Sequence, residues 1–334
     1  MAAVKINIVQ SACGYNSWPM LQNIKSRLIC IYSRGSRHSI GEPERAVYAR
    51  HSDDYGETWS REITVCNSAG FGDVPTGKGF DDTGAALFWV RRCKAGKDNW
   101  NDLQLYHDLY RSVDGVSFEK ISSPWLSPDP MQITDIFHIP EKNVMMSLWF
   151  AGNYQEKNSN SWGTLISEDN GVSWKQNVIE DKLPATQWPT EQSAVYLGNG
   201  KIFAIARHEP DKTEAPEKKV QFQLESDDFG KSWSKKLTNI NDIWESTPSL
   251  LLGADGKIYN YYYQRRAGLL KRRVVAAEKI IGTPLAWCAP EILTAASADA
   301  CNAGNVNAVA VGGQHFVAYY TGTPKNTAVV VLAL

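Results

Sequence analysis

Three stretches of this chain follow one pattern, Ser-x-Asp-x-Gly-x-x-Trp: Ser52 to Trp59, Ser167 to Trp174 and Ser226 to Trp233. A fourth, Ser112 to Phe118, is one residue shorter and ends in Phe. Their starts lie 60, 55 and 59 residues apart, and a recurrence of that size marks a repeated supersecondary unit, here long enough for about four strands. The 334 residues hold roughly six such units. The expectation is an all-β chain: a six-bladed β-propeller of four-stranded antiparallel blades, with residues 1–334 forming a single domain. Within each box the Ser and Asp side chains can bond their own turn backbone, Gly supplies a positive φ, and the aromatic residue tucks under the hairpin. The boxes are therefore read as a folding device, apart from any chemistry.

Between the boxes runs a second repeat of polar entry, apolar strand, turn, second apolar strand and charged exit. Ser17-Trp18-Pro19-Met20-Leu21 leads to Leu28 through Arg34, and Asp81-Asp82-Thr83-Gly84 leads to Phe88 through Arg92. Ile133 through Phe137 leads to Met146 through Phe150, and Trp188 through Gln192 leads to Ile202 through His208. The last two units run from Trp244 through Pro248 to Tyr261 through Arg265, and from Gly304 through Ala308 to Phe316 through Tyr320. These β-branched and aromatic runs, punctuated by Gly198-Asn199-Gly200 and Gly253-Ala254-Asp255-Gly256, signal hairpins, and helix is expected to be minor. Lys5 through Val9 and Ala328 through Leu332 are both strand-like, and pairing them would remove a sheet edge. The Glu209 to Lys219 stretch reads as a solvated loop.

A formal charge of -1 gives no global attraction to nucleic acid, so an anionic ligand must be held locally. Such a cluster exists at Arg265, Arg266, Lys271, Arg272 and Arg273. The six cysteines (Cys13, Cys30, Cys66, Cys93, Cys288, Cys301) have no metal-ligand spacing and read as free thiols. No His/Cys/Asp cluster and no Gly-rich phosphate loop stands out, so neither metal nor nucleotide cofactor is expected. The first twenty residues lack signal-peptide character, and no apolar run is long enough for a membrane span.

In a propeller, inner-strand entries and second-strand exits gather at one face of the channel. Glu191 occupies such an entry, Arg207 the matching exit sixteen residues later, and Arg265 the corresponding exit of the fifth unit. Two guanidinium groups from neighbouring units can grip a carboxylate by paired charge-assisted hydrogen bonds, which Lys cannot reproduce. An acidic sugar is the natural ligand. Alternation along a strand turns only one of Arg265 and Arg266 to the channel, and the sequence leaves the choice open. Burial would raise the Glu191 pKa and nearby arginines would lower it, so proton donor and water activator both remain open. Asp82, Asp135, Glu42, Glu44 and Glu245 are weaker acid or base candidates.

Taken together, the boxes, the Thr190 to Arg207 stretch TEQSAVYLGNGKIFAIAR and the Arg265 to Lys271 stretch RRAGLLK resemble the sialidase superfamily over essentially the whole chain. The resemblance implies a glycosidase with Glu191, Arg207 and Arg265 in its site. Two departures accompany it. Asn16-Ser17-Trp18-Pro19 lacks the arginine that terminal sialidases carry before Ile-Pro, and Gly304-Asn305-Val306 stands where they carry their tyrosine nucleophile. Bacteriophage endosialidases share both losses, and Tyr15-Asn16-Ser17-Trp18 with His38 resembles their substrate-lining positions. The resemblance implies Tyr15, Trp18 and His38 as substrate-binding residues and internal cleavage of polysialic acid or a related polymer. Without a nucleophilic tyrosine, direct attack by water is the economical route. A phage tail or another extracellular setting is the implied location, and tailspike membership would imply a homotrimer, although the β-barrel, stalk and folding segment of the phage enzymes have no counterpart here. A terminal sialidase and a non-catalytic sialoglycan-binding propeller are the rival readings.

Overall fold

The computed structural model describes residues 5–12, 14–95, 103–153, 158–208, 220–243, 246–265, 267–295 and 302–334. The chain divides into two compact units, one formed by Met1–Trp125 with Ala296–Leu334 and the other by Leu126–Ala295. The described regular elements of both are nearly all β-strands. Helix among the described residues amounts to a 3-10 turn at Ala185–Gln187 and the four-residue α1, Ala277–Ile280.

The first unit opens with β1 (Lys5–Gln10), β2 (Tyr15–Ile24), β3 (Arg27–Gly35), β4 (Ala46–Ser52) and β5 (Ile63–Cys66), followed by β6 (Gly72–Phe80), β7 (Ala86–Ala95), β8 (Leu103–Ser112) and β9 (Glu119–Ser122). The second unit contains β10 (Gln132–Ile139), β11 (Val144–Ala151), β12 (Asn160–Ser167) and β13 (Lys175–Leu183), then β14 (Pro189–Gly198), β15 (Lys201–His208), β16 (Phe222–Ser226) and β17 (Ser234–Leu237). Its last strands are β18 (Ser249–Leu252), β19 (Lys257–Gln264), β20 (Leu269–Ala276) and β21 (Glu291–Ala295). The chain then returns to the first unit with β22 (Gly304–Val311), β23 (Gln314–Thr323) and β24 (Asn326–Ala333).

Five sheets result. Four are four-stranded meanders, β6 to β9, β10 to β13, β14 to β17 and β18 to β21. The fifth has eight strands, but one parallel residue pair, Tyr15 with Thr327, joins β2 to β24. On either side of that link lie two antiparallel groups of four: β2 to β5, and β22 to β24 completed by β1. The pairing of Lys5 with Ala333 and Ile8 with Val330 closes the outer edge of β24 with the beginning of the chain.

Alternating apolar residues on both faces of these strands make the core between successive sheets. Met20, Ile29, Ile31 and Val47 pack on Ala86, Phe88 and Val90 in the first unit. In the second, Phe203 and Ile205 pack on Leu250, Ile258, Tyr262 and Trp287. First strands are also stitched together by polar groups. Lys78 donates to the Leu21 carbonyl at 2.6 Å and to that of Ala308, and the Asn307 carboxamide oxygen accepts from the Leu21 N–H at 2.8 Å. In the second unit Asp135 accepts from the Ser193 hydroxyl at 2.6 Å, and that hydroxyl accepts from the Leu250 N–H at 2.9 Å.

The boxes form the expected turns. Asp228 accepts from the Ser232 N–H and hydroxyl at 2.9 and 2.7 Å, while Ser226 accepts from the Gly230 N–H at 2.9 Å. Asp54 and Asp169 repeat the scheme, and Ser112 and Asp114 keep a shortened form of it. Trp59, Trp174 and Trp233 are only half-buried, because each lies under a surface turn that covers one side. One entry was misplaced in the sequence: Asp81 to Ala85 is the β6–β7 turn, with Asp81 accepting from Thr83 and Ala85. The true entry of that sheet is Gly72-Asp73-Val74-Pro75, whose small and polar residues hid it.

Candidate functional site

Inner strands of several sheets carry a β-bulge near their entry, where two residues face one across the pair and a side chain is re-aimed. The register slips between Ser17 and Met20, between Thr190 and Ser193, and between Gly304 and Asn307. At these three bulges Trp18, Glu191 and Asn305 take φ values of 52°, 48° and 45°. Left-handed backbone costs an ordinary residue roughly 1–2 kcal/mol, and strain of this kind concentrates at functional sites. The bulges after Pro75 and Ile133 have no such residue.

The Glu191 bulge lies in the second unit. The Glu191 Oε2 accepts from Arg207 Nη1 at 3.1 Å and from the Thr247 hydroxyl at 3.1 Å. Arg207 is at the end of β15, paired directly with Thr190, so the two strands deliver acid and base to one place. Their side chains are 17% and 15% exposed, which weakens solvent screening of the pair. Burial pushes the Glu191 carboxyl upward, but Arg207 and then Arg265 outweigh it, and the group is held below the usual carboxylate range. Glu191 is therefore ionised at neutral pH. It is fitted to accept a proton or polarise water, and poorly fitted to donate one.

Arg265 follows β19 and is half-buried, and its buried Nε has no hydrogen-bond partner among the described residues. The other described members of the basic cluster are engaged elsewhere. Lys271 and Arg273 hold Asp242 at 2.7 and 2.9 Å, and Arg272 holds Glu291. The apparent cationic patch thus resolves into separate ion pairs that leave Arg265 beside Glu191. Arg266 and Glu245 lie outside the described residues. Trp188, three residues before Glu191, is fully buried and donates to the Ser161 carbonyl at 3.0 Å, which makes it core. Asp135 is engaged in stitching strands, as above.

The other predicted residues come together in the first unit. Tyr15 and His38 have ring centroids 5.5 Å apart, and Trp18 and His38 stack at 5.3 Å with 28° between planes. Exposure separates their roles. Tyr15 is fully buried with its hydroxyl donating to Asn302 at 2.9 Å, and Trp18 is 8% exposed, so neither ring offers an open face to a sugar. Both rings floor His38, which is exposed. Arg45, which the sequence hid among glutamates in a loop, is fully buried with its guanidinium 4.7 Å from the Trp18 ring centre. Burial pulls its pKa down to about 10, so it stays charged at neutral pH. Glu42 is tied to Ser36 and Arg45, whereas Glu44 and Asp82 are exposed.

Among the described residues no three His, Cys, Asp or Glu side chains gather as metal ligands would, and no helix is long and apolar enough to cross a membrane. Neither a protein-family model nor a curated protein sequence matches the chain. Solved structures do. A Dyadobacter fermentans protein of unknown function superposes with a TM-score of 0.79 at 16% identity, covering 100% of both chains. A variant of the Streptococcus pneumoniae NanB sialidase gives 0.73 at 12%, covering 98% of this chain and 70% of that one. The endosialidase of phage phi92 gives 0.65 at 9%, covering 99% and 69%. The fold is therefore sialidase-like.

Proposed function

We propose that this chain is a glycoside hydrolase for glycans of nine-carbon acidic sugars, built as one six-bladed propeller. The observation that carries this reading is Glu191 bonded to Arg207 at 3.1 Å, with Arg265 near enough to lower its pKa and carrying an Nε that has no partner among the described residues. The six four-stranded groups, two of them linked by a single residue pair, support the six blades and the single domain. The sugar carboxylate exchanges hydrogen bonds with Arg207 and Arg265, and Glu191, released in part from Arg207, accepts a proton from water attacking the anomeric carbon as the glycosidic C–O bond breaks and its leaving oxygen takes a proton from solvent water. Asn305, at the bulge matching that of Glu191, carries a carboxamide, a poor nucleophile. Direct displacement with inversion follows. The stacked His38 supports internal cleavage of a polymer such as polysialic acid, by an enzyme acting outside the cell or in a phage tail, where it would be trimeric.

Polysialic acid digestion with product sizing and anomeric NMR tests the reading. A ladder of oligomers appearing first as the inverted anomer is expected. Free monomer alone would transfer the proposal to a terminal sialidase, and no product would remove the hydrolase.

One observation favours a binding protein as the second reading. Among the described carboxyl groups with a resolved shift, Asp73 is the one raised, by burial against the Ser68 hydrogen bond, and it is fully buried. Asp73, fully buried, does not reach a leaving group, and retention of polysialic acid without products is what this reading expects.

A further inference from the structure

Resting on the proposed glycan site, we infer that Arg45 is a positioning residue that presents His38 to ligand. The residues flanking His38 are held by one guanidinium: Arg45 Nε donates to the Ser39 carbonyl at 2.8 Å, and Nη2 donates to the Arg37 carbonyl. The Ser39 N–H also donates to the Arg37 carbonyl at 2.9 Å, so His38 occupies the tip of a tight turn. The rest of the guanidinium is anchored in the sheet. Nη1 donates to Ser33 and Ser17 hydroxyls at 2.9 and 3.2 Å, and Nη2 faces Glu42 at 3.4 Å. Glu42 in turn accepts from the Ser36 N–H at 2.9 Å, closing the loop on itself.

The surroundings leave this arrangement little freedom. A Cβ on Gly35 would collide with the Glu42 carboxylate and come 2.7 Å from Arg45 Nη2, and a Cβ on Gly72 would come 2.8 Å from the Glu42 carbonyl. The Trp18 ring, on which His38 stacks, also lies against the Arg45 guanidinium. One buried cation therefore fixes both the backbone of His38 and the aromatic floor beneath it. Lysine, with a single ammonium, cannot serve both carbonyls and both hydroxyls.

The experiment uses the whole chain with histidine labelled at 13Cε1, the His38 line being assigned by its loss in H38A. In wild type, ring currents of Trp18 and Tyr15 displace that line from the other five histidines. In R45K it should move to the free-imidazole position while the lines of His51, His107, His138, His208 and His315 stay in place. In the second arm, R45K and H38A should each weaken oligosialic acid binding several-fold, with the double variant no weaker than H38A alone. An unmoved His38 line in folded R45K, or additive losses, would overturn the inference. Absence of oligosialic acid binding by wild type would count against the proposed function, leaving the spectroscopic arm to decide on Arg45. Should R45K not fold, 15N-arginine wild type decides: a slowly exchanging Arg45 Nε–H with an Overhauser contact to residues 37–39 is expected, and a rapidly exchanging one overturns the inference.

Discussion

Glu191 combines a strained backbone, a bulge and two basic neighbours, and its ionisation gives the sharpest test at the residue scale. Its folded-state pKa is depressed, so its contribution to stability is complete above the unfolded carboxylate value near 4.5 and is lost as pH falls through the lower folded value. Urea unfolding at pH 7, 5 and 3.5 should show the gap between wild type and Glu191→Gln narrowing as pH falls below the unfolded carboxylate value, and a constant gap would contradict the assignment. Turnover should drop about a hundredfold or more in Glu191→Gln with the fold kept, and the wild-type rate should stay level from pH 7 down to about 5. Arg207→Lys and Arg265→Lys should each weaken acidic-sugar binding by about 2–4 kcal/mol, since an ammonium replaces a two-pronged donor. Equal losses on a substrate whose carboxylates are reduced to alcohols would show that the arginines act elsewhere.

At the scale of elements, boxes and bulges divide scaffold from site. Each box turn is closed by Ser and Asp side chains, and its tryptophan is half-buried. Trp233→Ala should therefore cost about 2 kcal/mol, below the 3–5 typical of a fully buried aromatic, with glycan binding unchanged. Normal melting together with lost binding would move the boxes into the chemistry. Asn305→Ala should be about 1 kcal/mol less stable than Asn305→Gly, because glycine alone accepts φ near 45° freely. The boxes were legible in the sequence because their bonding is local, within eight residues. The Glu191–Arg207 pair was legible as spacing across one hairpin. Thr247 was not, since Glu191 lies 56 residues from it in sequence, and Arg45 was not, since a loop arginine among glutamates looks solvated. The second-sheet entry failed for another reason: Asp81-Asp82-Thr83-Gly84 carries the stronger turn and polarity signal, yet it belongs to the far end of the hairpin.

At the scale of the whole molecule, the single-domain proposal meets a chain that divides into two compact units, the first containing both ends of the sequence. One ring predicts one calorimetric transition whose direct and van't Hoff enthalpies agree, whereas two separate domains predict two transitions or a shortfall in the van't Hoff value. The strand β1 sharpens this test. It pairs with β24 along Lys5 to Ile8, and Val9 is buried among Leu28, Phe316 and Val331. Deleting residues 1–10 uncovers the β24 edge and removes that packing, with an expected loss of about 3–5 kcal/mol and a concentration-dependent tendency to associate through the open edge. If the molecule is one cooperative ring, the whole transition shifts down as a single event and glycan binding is lost with it. A truncated protein in which one transition falls while a second keeps its wild-type temperature would show two domains that melt independently, and the single-ring proposal would fail.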